Sequence, residues 1–439
     1  MNQSGAEFRY LKAPARAGAA SLDPEVVRAR VATMLSKIES GGIDAIRRYA
    51  SELDGYTADS FRVPRPAIEA ARGAIDPGVL AHLELSIERV RGFAELQLGS
   101  VADVEREIAP GLVVGHRHVP VQRVGAYLPA GHRPLMASAL MTVLVPKTAG
   151  VERVIACTPP QAGGAGHPAM LYTADRCGAA SIFTLGGVQA VAAMAFGLEG
   201  EAPVDMIVGA GNSYVTEAKR QLFGRVGIDL LAGPSEITVI ADDAADPELV
   251  AADLLAQAEH GPGSPAVLIC LSAEFGERAV AEVQRQLAEL PEGNAAHRAW
   301  ADVGAVILAG DREEAAQIAD EIAPEHLEVH AADPDWWLHR LRNYGSLFLG
   351  ALTTVAFSDK GTTGTNHVLP TGRAARYSGG LSALRFLKTL TYQRVDDPAA
   401  SLPLAEAVAA ISAAEDLPAH GASATRRLPR TMSGARRTS

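Results

Sequence analysis

From about residue 112 the chain repeats one alternation, a short run of β-branched and apolar residues followed by an alanine-rich stretch with helical spacing. The runs are GLVVGH, RVGAYLP, RVIACTP, SIFTLGG, DMIVGAG, ITVIADD, AVLICLS, GAVILAG and GSLFLGA; GVQAVAAMAFG and DPELVAADLLAQAEH are typical of what separates them. Strands joined through helices pair in parallel, so the order predicts α/β architecture with largely parallel sheets. Nine runs are more than one such sheet commonly holds, and two sheets are the economical division. No short fixed repeat accompanies them.

The flanks read differently. Residues 24–106 read as helices: DPEVVRARVATMLSKIESGGIDAIRRYASEL has apolar positions at 3.6-residue spacing and an acid in its first turn. From about residue 382 the chain reads as helical, through EAVAAISAAEDLPAH, and closes on RRLPRTMSGARRTS, a basic end that reads as a solvated tail and receives no function.

A chain of 439 residues suggests two or three packed units, and 48% hydrophobic with 21% charged residues gives them a sizeable core. The formal net charge of -11 argues against a nucleic-acid-binding body, because phosphate contacts need a basic face. The N-terminus lacks the apolar core of a signal peptide and no stretch suits a membrane span, so a cytoplasmic protein acting on small molecules is expected. Cys157, Cys177 and Cys270 are odd in number and in no metal spacing, and are read as reduced, buried thiols.

Several polar clusters carry chemistry. VGAGNSYVTEAKR (208–220) reads as strand, glycine turn and helix, a form that presents backbone N–H groups to a phosphate; without a third glycine it suits a structural turn equally well. Gln257 and His260 lie three apart on one helix face before Gly261-Pro262. They can serve as two ligands of a divalent metal, or His260 can cap the helix end. In APEHLEVH, Glu325 and His326 stand together between apolar residues, where idle burial would be costly, and such a pair suits acid-base work. SDKGTTGTNHVLPT (358–371) carries Asp359 and His367 on a loop loaded with hydroxyls, and AEDLPAH supplies Glu415 and His420. His116 and His118 alternate along a strand and read as a solvated face, while Trp336 and Trp337 read as the packing side of an amphipathic helix.

Along nearly its whole length the chain resembles the histidinol dehydrogenase family. GGVQAVAAMAFG, GAGNSYVTEAKRQLFGRVGIDLLAGPSE, DLLAQAEHGP, APEHLEV, GTNHVLPT and AARYSGGLS carry the resemblance. It implies an NAD-dependent enzyme with one Zn2+ per subunit that oxidises a primary alcohol, through an enzyme-held aldehyde, to a carboxylate. It also implies a homodimer with shared active sites. By resemblance the zinc ligands are Gln257, His260, Asp359 and, from the partner subunit, His420. His326 is implied as general base and Glu325 as the residue that activates water. Ser235, His367 and Glu415 fall at substrate positions, and Tyr127, Gln189 and Asn212 at NAD positions.

The implied fold is two Rossmann-like doubly wound domains with parallel sheets, plus small helical N- and C-terminal segments. Residues 1–23 would be an arm, 24–126 with 235–381 the domain bearing metal and catalytic residues, 127–234 the NAD-side domain, and 382–439 a helical segment and basic tail serving the partner's site. The common substrate of the family is L-histidinol, oxidised to L-histidine.

This chain departs from the family pattern in places. It reads Ser358-Asp359-Lys360 where Gly-Asp-Tyr is usual, with eight residues rather than seven from Asp359 to His367, and has YLPAGHRPLMASALM in place of a proline-serine stretch. These features, with FLKTLTYQRV and NYGSLFLG, resemble the paralogous branch that includes sulfopropanediol dehydrogenases. The alternative substrate is therefore 2,3-dihydroxypropane-1-sulfonate, with His132, Arg133, Lys360 and Arg373 as candidate sulfonate partners. A reading from another class, a zinc- and ligand-binding paralogue without catalysis, is disfavoured by the retention of Glu325 and His326.

Overall fold

The computed structural model describes residues 8–16, 23–130, 134–162 and 164–428. Fourteen strands are present among them: β1 (Tyr10–Lys12), β2 (Val104–Ala109), β3 (Leu112–Pro120), β4 (Arg123–Tyr127), β5 (Arg153–Thr158), β6 (Ser181–Thr184), β7 (Met206–Val208), β8 (Gly227–Ile228), β9 (Ile237–Ala241), β10 (Ala266–Cys270), β11 (Ala305–Leu308), β12 (His326–His330), β13 (Ser346–Leu349) and β14 (Leu387–Val395). The chain divides into two compact units, Met1–Leu98 with Val121–Phe386, and Gly99–Pro120 with Leu387–Ser439.

The larger unit contains two sheets. One has the order β6-β5-β4-β7-β8, and every pairing in it is parallel. The other has the order β1-β11-β10-β9-β12-β13 and is parallel except for β1 at its edge. All nine expected runs are strands, eight of them in these two sheets and GLVVGH in the smaller unit, and the α/β class with parallel sheets holds. The near-continuous apolar character of the eight follows from helices covering both faces; β9, for example, is buried at all five positions.

Grouping helices with sheets by sequence order gives the wrong partner. The long helix Pro24–Asp54 buries Val27, Val31, Leu35, Ile38 and Ile46 in a cluster with Ile155, Phe183 and Val191 of the five-stranded half, not with the six-stranded sheet assigned to it. Asp23 caps its start by accepting from the Glu25 N–H, and Gly42, at φ 54°, kinks it. Strand β4 likewise lies wholly in the five-stranded sheet rather than straddling a boundary at residue 126. A helix's apolar stripe demands a sheet to cover but does not specify which one.

The smaller unit holds an antiparallel sheet in the order β14-β3-β2, with the helices Pro398–Ala414 and Pro418–Thr425. Sequence reading made 99–106 and 387–395 helical; both contribute strands here. β14 stays half-buried to exposed along its length and shows no apolar run, while β3, half-buried, carries the run GLVVGH but pairs antiparallel here. His116 and His118 do lie on β3, half-buried, with ring centroids 5.1 Å apart.

Cys157, Cys177 and Cys270 are free and buried as expected, and burial pushes their thiols up, Cys157 to about 12 and Cys270 to about 11. Trp337 is the buried member of the tryptophan pair, on the helix Pro334–Arg340. Among the described residues no helix is long and apolar enough to cross a membrane. Residues 429–439 of the basic tail, with His132 and Arg133, lie outside the described residues.

Candidate functional site

The helix Pro247–Ala258, capped by Asp246, leads from β9 toward β10 and carries Gln257 at its last turn; His260 follows just beyond the helix end. The short helix Val355–Asp359 packs on it and ends in Asp359. His260 Nε2 comes to 3.4 Å from Asp359 Oδ2. Burial alone would raise the Asp359 carboxyl, but the imidazoles of His260, His326 and His367 outweigh it and hold it below its ordinary value. The Gln257 amide nitrogen is buried with no hydrogen-bond partner. The Gln257 amide oxygen, the His260 imidazole and the Asp359 carboxylate form a mixed N and O donor set of the kind that fits a divalent cation such as Zn2+.

His326 opens β12 at the edge of this group. Its Nδ1 lies 3.0 Å from the Glu236 carbonyl oxygen, an acceptor only, so Nδ1 carries the proton and Nε2 is left with its lone pair. That Nε2 is buried, without a hydrogen-bond partner, and 3.8 Å from Asp359 Oδ1. Burial lowers the imidazole below its ordinary value, which keeps the ring neutral. Glu325 sits beside it, Oε2 at 3.5 Å from His326 Nδ1, and accepts from the Glu236 N–H at 3.0 Å. Burial, reinforced by the charges of Glu236 and Asp359, raises the Glu325 carboxyl well above its ordinary value, with the Ser235 hydroxyl and the Glu236 N–H opposing. The result is a neutral imidazole and a carboxyl of raised proton affinity side by side.

The loop 358–371 is stitched down by its hydroxyls. Ser358 Oγ is 3.1 Å from Thr365 Oγ1, and Thr371 Oγ1 accepts from the Gly233 N–H. His367 donates from Nε2 to the Ala137 carbonyl at 2.8 Å, which leaves Nδ1 buried and unpartnered; burial lowers this imidazole too.

A cleft of about 720 Å³ adjoins the group, lined on one side by His260 and Lys360 and on the other by Tyr127, Gly187 and Asn212. The glycine turn after β7 is built for close approach. Gly209 takes φ 117°, and a Cβ there would meet the Tyr127 carbonyl oxygen at 2.2 Å. A buried ion pair of Lys219 and Asp229 clamps this turn, Asp229 accepting from the Gly209 N–H at 2.7 Å and Lys219 donating to the Gly209 carbonyl at 2.9 Å. Asn212 caps the following helix, its Oδ1 accepting from the N–H groups of Tyr214 and Val215 at 3.1 Å. Tyr127 lines the cleft and accepts from the Gly187 N–H through its hydroxyl, while Gln189 is buried behind it and donates to Asp54, another lining residue.

The structure therefore gathers Gln257, His260, Asp359, Glu325 and His326, and sets Tyr127 and Asn212 on the adjoining cleft. Gln189 hydrogen-bonds Asp54 and does not itself line the cleft. Glu415 and His420 lie exposed in the smaller unit. Sequence reasoning missed Glu236, whose carboxyl burial pushes up to about 7, and missed Asp54. No local pattern announces either, since each owes its environment to residues distant in the chain.

The family model described as Histidinol dehydrogenase matches residues 19–428. A protein of Ruegeria pomeroyi named histidinol dehydrogenase homolog is 48% identical, covering 91% of this chain and 92% of its own. Sulfopropanediol 3-dehydrogenase of the same organism is 44% identical over 92% of this chain and 93% of its own, and histidinol dehydrogenase of Rhizobium meliloti 42% over 92% of each. The crystal structure of histidinol dehydrogenase from Elizabethkingia anophelis superposes with a TM-score of 0.88 at 31% identity, covering 94% of both chains. Fold and relatives together define the class, an α/β oxidoreductase. The chain belongs to the histidinol dehydrogenase family.

Proposed function

We propose that this protein is a zinc-dependent, NAD-linked dehydrogenase that oxidises a small polar primary alcohol, through an aldehyde kept on the enzyme, to a carboxylate. The observation that carries the reading is His326, neutral, its Nδ1 committed to a carbonyl and its Nε2 buried without a partner beside Asp359. When bound, a divalent cation held by Gln257, His260 and Asp359 would polarise the substrate oxygen, and NAD would supply the hydride acceptor. His326 Nε2 takes the hydroxyl proton of the alcohol, and Glu325 takes the proton of the water that attacks the aldehyde. Alcohol to carboxylate removes four electrons, so two NAD are reduced per substrate. Tyr127, Gln189 and Asn212 serve the NAD side, directly or by bracing it, and Ser235 and His367 the substrate side. A second copy of the chain would complete the site with His420 for the cation and Glu415 for the substrate.

Lys360 bears on which alcohol is used. It lines the cleft next to Asp359, where a cation suits an anionic alcohol better than the amine of L-histidinol. Together with a relative named sulfopropanediol 3-dehydrogenase at 44% identity, it supports reading 2,3-dihydroxypropane-1-sulfonate before L-histidinol, the reverse of the order suggested by the common substrate of the family. NADH formation by zinc-loaded protein with each alcohol tests both levels. Two NADH per molecule of either alcohol supports the chemistry and names the substrate; uptake of ligand with no NADH from any small alcohol would make the protein a binder and refute the reading.

A further inference from the structure

Beneath the candidate site lies a second group of ionisable side chains that the proposed chemistry leaves unused. Asp253, Glu328 and His330 bring one ligand atom each within 4.8 Å of one another. His330 Nε2 stands 3.4 Å from Asp253 Oδ2 and 3.5 Å from Glu328 Oε2, with the Glu328 side chain 0% and the His330 side chain 1% exposed.

The group is the continuation, along the same elements, of the site above it. Alternation on β12 puts His326, Glu328 and His330 on one face of the strand. On the helix Pro247–Ala258, Asp253 precedes Gln257 by four residues and shares its face. The remaining carboxylate oxygens are spent on a third element. Glu328 Oε1 accepts from the Val355 N–H at 2.7 Å, and Asp253 Oδ1 accepts from the Thr354 hydroxyl at 2.7 Å. Thr354 is the cap of the short helix that ends in Asp359.

We infer that Asp253, His330 and Glu328 form a positioning triad that fixes Asp359 against His260 and His326 by tying one strand and two helices at a single buried point. The inference rests on reading Gln257, His260 and Asp359 as cation ligands. Two carboxylates this deep need a positive partner, and His330 supplies it. Burial pushes the imidazole down, but the two carboxylates beside it more than reverse this, to about 9, while burial raises the Glu328 carboxyl to about 7. The separations of 3.4 and 3.5 Å exceed a charge-assisted hydrogen bond and also match ligand spacing around a small metal ion, so metal counting belongs to the test. The triad is favoured because each carboxylate already has its second oxygen committed to the 354–355 turn.

The experiment uses full-length His330→Ala, with Asp253→Asn as the second variant in case the first does not fold, and His330→Gln as the conservative replacement. Zinc affinity is read by chelator competition, metal content by elemental analysis, and local order by amide exchange across 354–359. The triad predicts one zinc per wild-type chain. Affinity should weaken roughly 10- to 100-fold in His330→Ala and recover in part in His330→Gln, which keeps a donor between the carboxylates. Exchange across 354–359 should rise roughly tenfold while β5 is unchanged, and turnover should be restored by saturating zinc. Unchanged affinity with unchanged exchange would overturn the triad, as would loss of protection spread evenly over the chain. Two zinc ions per wild-type chain with one lost in His330→Ala would make it a metal site instead. If the wild type binds no zinc, the ligand reading fails, and exchange across 354–359 alone decides whether the triad holds that helix.

Discussion

Replacing Glu236 by Gln should stabilise the protein in a strictly pH-dependent way. The Glu236 carboxyl is raised by burial from its ordinary 4.5 to about 7, opposed by the N–H of Gly372 that Oε1 accepts at 2.9 Å. Because the folded value lies above the unfolded one, the favourable contribution is complete below about pH 4.5 and is lost as pH rises through about 7. At about 1.4 kcal/mol per pH unit, the wild type above pH 8 bears a cost of about 3 kcal/mol that it escapes in acid. Gln imitates the protonated carboxyl and can still accept from Gly372. The two proteins should therefore unfold at nearly the same urea concentration near pH 4 and diverge as pH rises, with the variant more stable by up to about 3 kcal/mol at pH 8. Urea midpoints at half-unit intervals from pH 4 to 8.5 provide the assay. Parallel midpoint curves, or a variant less stable at pH 8, would refute the burial argument.

Further outcomes can be checked on the same protein. Glu325→Gln should preserve the first hydride transfer and block the aldehyde stage, so NADH stops near one per alcohol in a single-turnover experiment; equal loss with alcohol and with aldehyde would contradict the division of roles. His326→Gln should lower turnover with alcohol by roughly 10²- to 10⁴-fold with little change in thermal midpoint, the mark of a lost proton acceptor. Prolonged chelation should abolish activity and zinc addition should restore it; activity that survives measured removal of the metal would end the zinc assignment. Lys219→Met should cost about 3 to 5 kcal/mol, because Asp229 stays buried without its partner, and NAD affinity should fall as the Gly209 turn loosens; urea unfolding and cofactor titration read the two effects separately.

Eight of the eleven strands in the two larger sheets were legible because helices cover them on two faces and leave apolar runs; the short β1 and β8 left no such run. β12 escaped notice for the opposite reason. HLEVH spends one face on His326, Glu328 and His330, so its residues read as chemistry before they read as a strand. β14 and β2, little buried, carried no apolar signal at all. Within the site, Gln257 and His260 were visible as a pair through helical spacing, and Glu325 with His326 through adjacency. The approach of Asp359 to His260 was not, because it depends on one helix packing against another distant in the chain. Glu236 is the clearest example of what tertiary packing adds: in GPSEITV it is an unremarkable acid at a strand entrance, and only the fold buries it against Glu325 and Gly372.

The enclosure of Cys157, Cys177 and Cys270 makes this a ready background for site-directed spectroscopy. With every thiol sequestered and its ionisation pushed far above neutrality, a maleimide dye has no native target on the folded protein. A single cysteine introduced at an exposed position such as Leu352 would take the label alone and report motion of the segment leading to Asp359, with no need to strip the natural cysteines first.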